Sequence, residues 1–257
     1  MFYRLKMSGL KSRILKAALQ KLSRLTAFKF RGNGVPDSLK ADLIRKYVPN
    51  RSFADIGCMW RVNGYFSFLA EKCGANSVAA VDIYPPSNEF KDMRRKQNSK
   101  VAFIQGDIHS KDTVEKIGLR DVIFCSGLLY HSPNPVYTLG RLRSICSDIL
   151  IINTSTIPEI PSIQNAAVFY PFLRENQRKI WRAGIGQLGI STPYDVSQGY
   201  GNWFWGFSRT CLESMLQCAG FQVKERYGDA FITCFVCHIS SENFLPVSGD
   251  WTAPPRK

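Results

Sequence analysis

The chain has 257 residues, 45% of them hydrophobic and 21% charged, with a formal net charge of +14. That length suits one larger domain that buries roughly 75% of its surface on folding, and the apolar share excludes a disordered chain. No run approaches the ~18 to 20 apolar residues of a membrane span, and there is no internal repeat or low-complexity tract.

The charge is concentrated at the start. Nine of the net positive charges lie in residues 1–31, with no acid before Asp37. Residues 5–28 read as an amphipathic helix. Leu10, Ile14, Ala18, Leu22 and Leu25 recur at helical spacing, with Lys6, Arg13, Lys16 and Arg24 on the other side. Such a helix fits contact with RNA phosphates, an anionic membrane surface at which the protein sits peripherally, or packing on the domain as a cap. A segment without acids also suits a mitochondrial presequence. "RGNGVPDS" breaks the pattern, and a second short helix is expected over 38–47. Residues 1–48 are thus expected to form a basic helical extension.

From residue 52 the pattern changes. "SFADIG", "SVAAVDI", "VAFIQGD", "DVIFCSG" and "DILIINT" read as strands, with helices expected over 64–73, 89–98, 112–117 and 136–146. This alternation predicts an α/β fold, a parallel sheet covered on both faces. Residues 154–206 interrupt it. They are rich in Pro, Gly, Asn and aromatics, with one helical piece near 164–183. A helix over 208–219 follows, then "FQVKERYG" and "DAFITCFVCHI", close enough for a hairpin. The main domain is expected over 49–240 and a loose tail over 241–257.

The eight cysteines are scattered through apolar segments, without the density of a disulfide scaffold. Cys234 and Cys237 form a CxxC, but on a strand they face opposite sides and cannot share a metal. The thiols are expected reduced and the compartment cytoplasmic.

In open parallel sheets, ligands bind beyond the carboxyl ends of the strands at the switch point of the strand order. Asp55, Asp82, Asp107 and Ser126 fall at those ends. Gly57 permits a tight turn and a close approach. Asp82 is placed where a carboxylate accepts from both hydroxyls of a ribose. Each acid also has a bland reading: a helix cap at Asp55 and Asp107, a turn acid at Asp82 before "IYPP". Three acids ending three successive strands are harder to explain that way.

This arrangement resembles the class I S-adenosylmethionine-dependent methyltransferases, over about residues 50–240. The resemblance implies a Rossmann-like, seven-stranded, mostly parallel sheet with helices on both faces and an antiparallel last strand. It implies S-adenosyl-L-methionine as cofactor, held by Asp55, Gly57, Cys58, Asn63, Gly64, Asp82, Ile83, Asp107, Ile108, Ser126 and Gly127. Asp107 would accept from the adenine amino group, the Ile108 amide would meet a ring nitrogen, and Ser126 with Gly127 would face the methionine part. A narrower resemblance lies in "GLLYHSPNP", "DIGC…NGYFSF" and "NWFWGFSRTCLESMLQCAGF". In that order they are similar to segments of methyltransferases related to the tRNA wobble-uridine carboxymethyl-transferring enzymes, where Cys58 also has its counterpart. The first motif here is longer by a few residues, and the basic N-terminus has no visible match.

Methyl transfer is an in-line displacement for which the protein supplies position and a dry pocket. His131 is the candidate base, one of three histidines, just past the fourth strand. Tyr130 is placed to orient the acceptor. The alternative is that His131 caps the next helix. The insertion 154–206 is expected to form the acceptor pocket, with Tyr200, Trp203 and Trp205 contacting substrate and Trp60 shielding the cofactor or walling that pocket. Asn63 is expected to cap the helix that restarts at Gly64. Arg174, Arg178, Lys179 and Arg182 either hold an anionic acceptor or form a solvated face. The expected acceptor is an oxygen or nitrogen of a small molecule, sugar or glycan; the alternatives are a tRNA wobble uridine and a non-catalytic module. A nicotinamide dehydrogenase would need G-x-G-x-x-G after the first strand, and only Gly57 and Gly64 stand there.

Overall fold

The computed structural model describes residues 35–179 and 192–240. The basic helix expected over 5–28, the tail over 241–257, and Trp181 and Arg182 lie outside the described residues. In chain order the elements are α1 (Asp37–Tyr47), β1 (Ser52–Ile56), α2 (Tyr65–Lys72), β2 (Ser77–Asp82), α3 (Asn88–Lys96), β3 (Ala102–Gln105), α4 (Lys111–Ile117) and β4 (Arg120–Ser126). A 3-10 turn (Leu129–His131) leads to α5 (Pro135–Ile145) and β5 (Cys146–Ser155). Two short strands follow, β6 (Ala167–Phe169) and β7 (Trp205–Phe207), then α6 (Arg209–Cys218), β8 (Phe221–Gly228) and β9 (Ile232–Ile239).

The main sheet has seven strands in the order β3-β2-β1-β4-β5-β9-β8. β1 to β5 pair in parallel, and β9 runs antiparallel to both β5 and β8. The central strands are apolar almost throughout, as strands covered on both faces must be, whereas the edge strand β8 alternates buried and open positions. Two cores result. One lies under α4, α5 and α6 and includes Val114, Leu142, Leu212 and Cys237. The other lies under α1, α2 and α3 and includes Ile44, Phe66, Phe90 and Cys234. Helix starts are fixed locally. Ser87, Asn134 and Ser208 cap α3, α5 and α6 through their side chains, with Pro135 at the first position of α5.

The insertion corrects one expectation. Instead of a helix near 164–183, Ala167–Phe169 is a strand paired with Trp205–Phe207 in a separate two-stranded ribbon. Pro171 favours extended backbone before it, and Phe172 turns at φ 62°. Helix resumes only at residue 175.

Candidate active site

The sheet order reverses between β1 and β4, so their carboxyl ends frame the cleft. Gly57 sits there at φ 83°, a conformation that favours glycine, and an added Cβ would come within 3.3 Å of Leu128. The detour that follows is a closed loop. Asn63 N donates to Met59 O (3.2 Å) and Gly64 N to Cys58 O (2.7 Å). Cys58 and Met59 turn into the core. Asn63 is not the cap of α2: the cap position is Gly64, left-handed at φ 76°, with no side-chain cap bond. A Cβ on Gly64 would lie 2.4 Å from Phe90, so the close packing of α3 selects glycine.

The three acids do three things. Asp55 is 2% exposed, and its Oδ2 accepts from Ser67 Oγ at 2.7 Å, so it anchors the base of α2. Burial raises its carboxyl to about 7, against the Ser67 bond and with a push from Asp82. Asp82 also lies largely inside. It accepts from Met59 N (2.7 Å) and Tyr84 N (2.9 Å), tying the closed loop to the end of β2. A carboxylate offers about four lone-pair sites, and the backbone of Met59, Ile83 and Tyr84 does not use all of them, so room remains for a ligand hydroxyl. Asp107 is the open one, its side chain 36% exposed. Its Oδ1 accepts from His109 N (2.9 Å) in an Asx turn, and its Oδ2 from Tyr200 Oη (2.8 Å). Burial pushes this carboxyl up, but the bonds from His109 and Tyr200 outweigh it and hold it at about 2. Beside these, Ile83 is exposed and Ile108 packs its side chain into the core.

At the end of β4, Gly127 N donates to Asn153 O (2.8 Å), and Ser126 Oγ accepts from Asn153 Nδ2 (3.2 Å). Tyr130 Oη points back toward Gly127, 3.6 Å from where its Cβ would be. Burial raises the Tyr130 hydroxyl while nearby Arg61 pulls the other way. The Tyr130 ring packs on His131 and on Trp203, with centroids 4.3 Å apart in both cases. His131 Nδ1 lies 2.8 Å from Asn202 O. A carbonyl only accepts, so Nδ1 carries the proton and Nε2 keeps its lone pair in the neutral ring. Burial lowers the His131 pKa and so favours the neutral form, while the bond to the Asn202 carbonyl works against it.

The insertion crosses the cleft as a strap, residues 195–205. Besides Asn202 O, Phe204 N donates to Tyr130 O (2.9 Å) and Trp205 Nε1 to Pro133 O (3.1 Å). Next to it is a narrow cavity of about 20 Å³, lined by Tyr170, Pro171, Arg178, Tyr194, Asn202 and Trp203 among others. Arg178 Nε is buried there without a hydrogen-bond partner among the described residues. Lys179, not Arg178, pairs with Glu175 at 2.6 Å.

Of the expected substrate residues, Trp203 stands in the pocket. Tyr200 does not: its hydroxyl is on Asp107, at the other end of the cleft. Trp205 packs between Phe169 and Phe207 and braces the ribbon. Trp60 is 70% exposed and is not among the residues lining the cavity, because the closed loop turns it outward; Arg61 is the residue of that loop close to Tyr130. Sequence reasoning missed Arg61, Asn202 and the linking role of His109. The Asp-x-His spacing of an Asx turn was a usable signal for His109; Asn202 and Arg61 had none.

The fold and the cleft define a class I Rossmann-like methyltransferase. The FtsJ-like methyltransferase family matches residues 38–185, and the chain belongs to it. It is an S-adenosylmethionine-dependent methyltransferase. A tRNA U34 carboxymethyltransferase from Campylobacter lari is 23% identical over 215 residues, 73% of this chain and 71% of the relative. One from Sulfurimonas denitrificans is 31% identical over 109 residues, 41% of this chain and about a third (35%) of the relative. Among solved structures, the N-terminal domain of EvdMO1 with S-adenosylhomocysteine bound aligns with a TM-score of 0.54 at 14% identity, over 78% of this chain and 79% of that one. The 1,6-didemethyltoxoflavin-N1-methyltransferase of Burkholderia thailandensis aligns with a TM-score of 0.53 at 12% identity, over 94% of each. These two likenesses bear on the fold. The glycine turn at Gly57 and the unused lone pairs of Asp82 and Asp107 fit the cofactor. No helix among the described residues is long and apolar enough to cross a membrane.

Proposed function

We propose that the enzyme methylates an oxygen or nitrogen of a small-molecule, sugar or glycan acceptor, with His131 as base. The observation that carries this reading is the held His131 ring, with Nδ1–H on Asn202 O and Nε2 without a hydrogen-bond partner among the described residues, beside a narrow aromatic pocket. Bound S-adenosylmethionine supplies an electrophilic sulfonium methyl. The adenine end would be held by Asp107, Ile83 and Ile108, the ribose by Asp82, and the methionine part by Gly57, Ser126 and Gly127. Asp55, Cys58, Asn63 and Gly64 shape the loop from behind. His131 Nε2 takes the acceptor proton as the new bond forms, Tyr130 Oη orients the acceptor, and Trp203 with Tyr130 keeps water out. Arg178 gives an anionic group on the acceptor a partner in the pocket.

A second reading is favoured by the curated relatives, which are named for tRNA U34. On it, the cleft beside His131 takes one splayed base and the basic N-terminus meets phosphates. One experiment separates the two. Methyl-labelled S-adenosylmethionine is incubated with the protein and with the metabolite, glycan and RNA fractions of the host cell. Label in the small-molecule or glycan fraction is expected. Ribonuclease-sensitive label in tRNA alone would replace this reading by the second.

A further inference from the structure

Tyr200 belongs to neither the pocket nor the bare surface. A phenol has one proton to give, and Tyr200 Oη donates it to Asp107 Oδ2 at 2.8 Å. His109 Nδ1, 2.9 Å from the same hydroxyl, must then be the donor in that contact. The same Nδ1 lies 3.2 Å from Asp107 Oδ1, and His109 Nε2 meets Thr138 Oγ1 at 2.7 Å. The tyrosine is therefore gripped at the end of β3 by a histidine that is itself fixed from α5.

Two residues further on, Asn202 O receives the His131 proton. The segment between is not slack. Asn202 is 6% exposed and its side chain closes residues 195–202 into a ring. Its Nδ2 donates to Asp195 O (2.7 Å) and Gly199 O (2.9 Å), and its Oδ1 accepts from Asp195 N (3.0 Å). A loop so tied moves as one piece. One end bears on the acid expected to meet adenine, the other on the histidine expected to meet the acceptor.

We infer that Tyr200 is a positioning residue that couples the adenine-side acid Asp107 to His131 through the closed loop 195–202. An adenine amino group donating to Asp107 Oδ2 would share that oxygen with Tyr200 Oη, and the shift this imposes on the hydroxyl is delivered to Asn202 O. The orientation of His131 then responds to occupancy at the far end of the cleft. The inference rests on the adenine end lying at Asp107; it does not require that His131 be the base.

Adenosine tests it, because it fills only the adenine and ribose end and does not reach His131. The three histidines are followed by NMR of their ring nitrogens, with His131 identified by its loss in His131→Gln. In the wild type, adenosine at millimolar concentration is expected to move the His131 signals. In Tyr200→Phe, which keeps the ring and loses the hydroxyl, adenosine and S-adenosylhomocysteine still bind by calorimetry, within about tenfold of wild type, while the His131 response to adenosine is lost. The His131 titration midpoint in the free variant moves up toward the ordinary value, since the loop that buries it loosens; among the described residues Tyr130 is the titratable group in ring contact with it, and Trp203 and Asn202 O complete its surroundings. His109→Gln, which removes the second grip on Tyr200, weakens the response by the same route. A His131 response equal in wild type and Tyr200→Phe overturns the inference. So does a wild type in which adenosine binds and His131 stays silent, or one that binds S-adenosylhomocysteine but not adenosine. A purely structural Tyr200 would lower the melting temperature without changing the adenosine response.

Discussion

The two ends of the cleft are built by different means. On the side of β1, β2 and β3, the acids are held mainly by groups of the strand-end loops and of α2: Asp55 by Ser67 Oγ, Asp82 by Met59 N and Tyr84 N, Asp107 by His109 N, with Tyr200 Oη the one partner from the insertion among the described residues. On the side of β4, the pieces come from far along the chain. His131 is held by a carbonyl 71 residues away, and the Tyr130 ring by Trp203. The first end is largely a property of the sheet, and the insertion meets it at Tyr200. The second exists only when the insertion is folded over it. The cofactor end should therefore tolerate damage to the insertion, while the acceptor end should not.

The largest effect is expected at the assembled end. His131→Ala should lower methyl transfer by ~10²-fold or more, with S-adenosylhomocysteine affinity unchanged. The wild-type rate should carry an acidic limb whose midpoint lies below the ordinary histidine value of about 6.5, because burial favours the neutral ring and so preserves the base to lower pH. A limb above that value, or a full-speed mutant, would leave His131 with positioning alone. Next comes the sheet-built end. Asp82→Ala should weaken cofactor binding by about 1 to 3 kcal/mol by calorimetry, the scale for losing hydrogen bonds to a charged group. It should also free the closed loop at Met59, visible as faster amide exchange over 58–64. An unchanged affinity would mean that the ribose is held elsewhere.

Asn202→Ala then tests the contrast itself. It removes three side-chain bonds from the strap and should raise exchange over 195–205 while leaving S-adenosylhomocysteine affinity within about threefold, a change of under 1 kcal/mol. If cofactor affinity collapsed with it, the two ends would not be separately built. The smallest effect is expected at Trp60. It is largely exposed, and Trp60→Ala should stay within about 0.5 kcal/mol of wild type in stability and leave turnover unaltered.

The same division explains what was legible in the sequence. Strands of four to ten residues with acids at their ends are local patterns, and β1 to β5, the terminal hairpin and the positions of Asp82, Asp107, Ser126 and His131 could be read from them. The insertion could not. "AVF" pairs with "WGF", 36 residues of chain away from Phe169 to Trp205, a contact that periodicity does not encode. Tyr200 and Trp205 were expected at the substrate because aromatic richness says nothing of direction. Asn63 is expected as a cap because it precedes the restarting helix, and it is not one because the loop closes through backbone bonds that put Gly64 in the cap position. Arg61 acts on the Tyr130 hydroxyl from a loop whose path no local pattern encodes.

The CxxC of β9 has a use unrelated to metals. Its two thiols face the two cores, Cys234 under α1 to α3 and Cys237 under α4 to α6. Burial pushes Cys234 up to about 12 and Cys237 well above its usual value, so neither reacts until its own layer opens. One strand thus carries a pair of clocks. The rates at which a thiol reagent modifies the two positions would time the breathing of each face of the sheet separately, without any label being introduced.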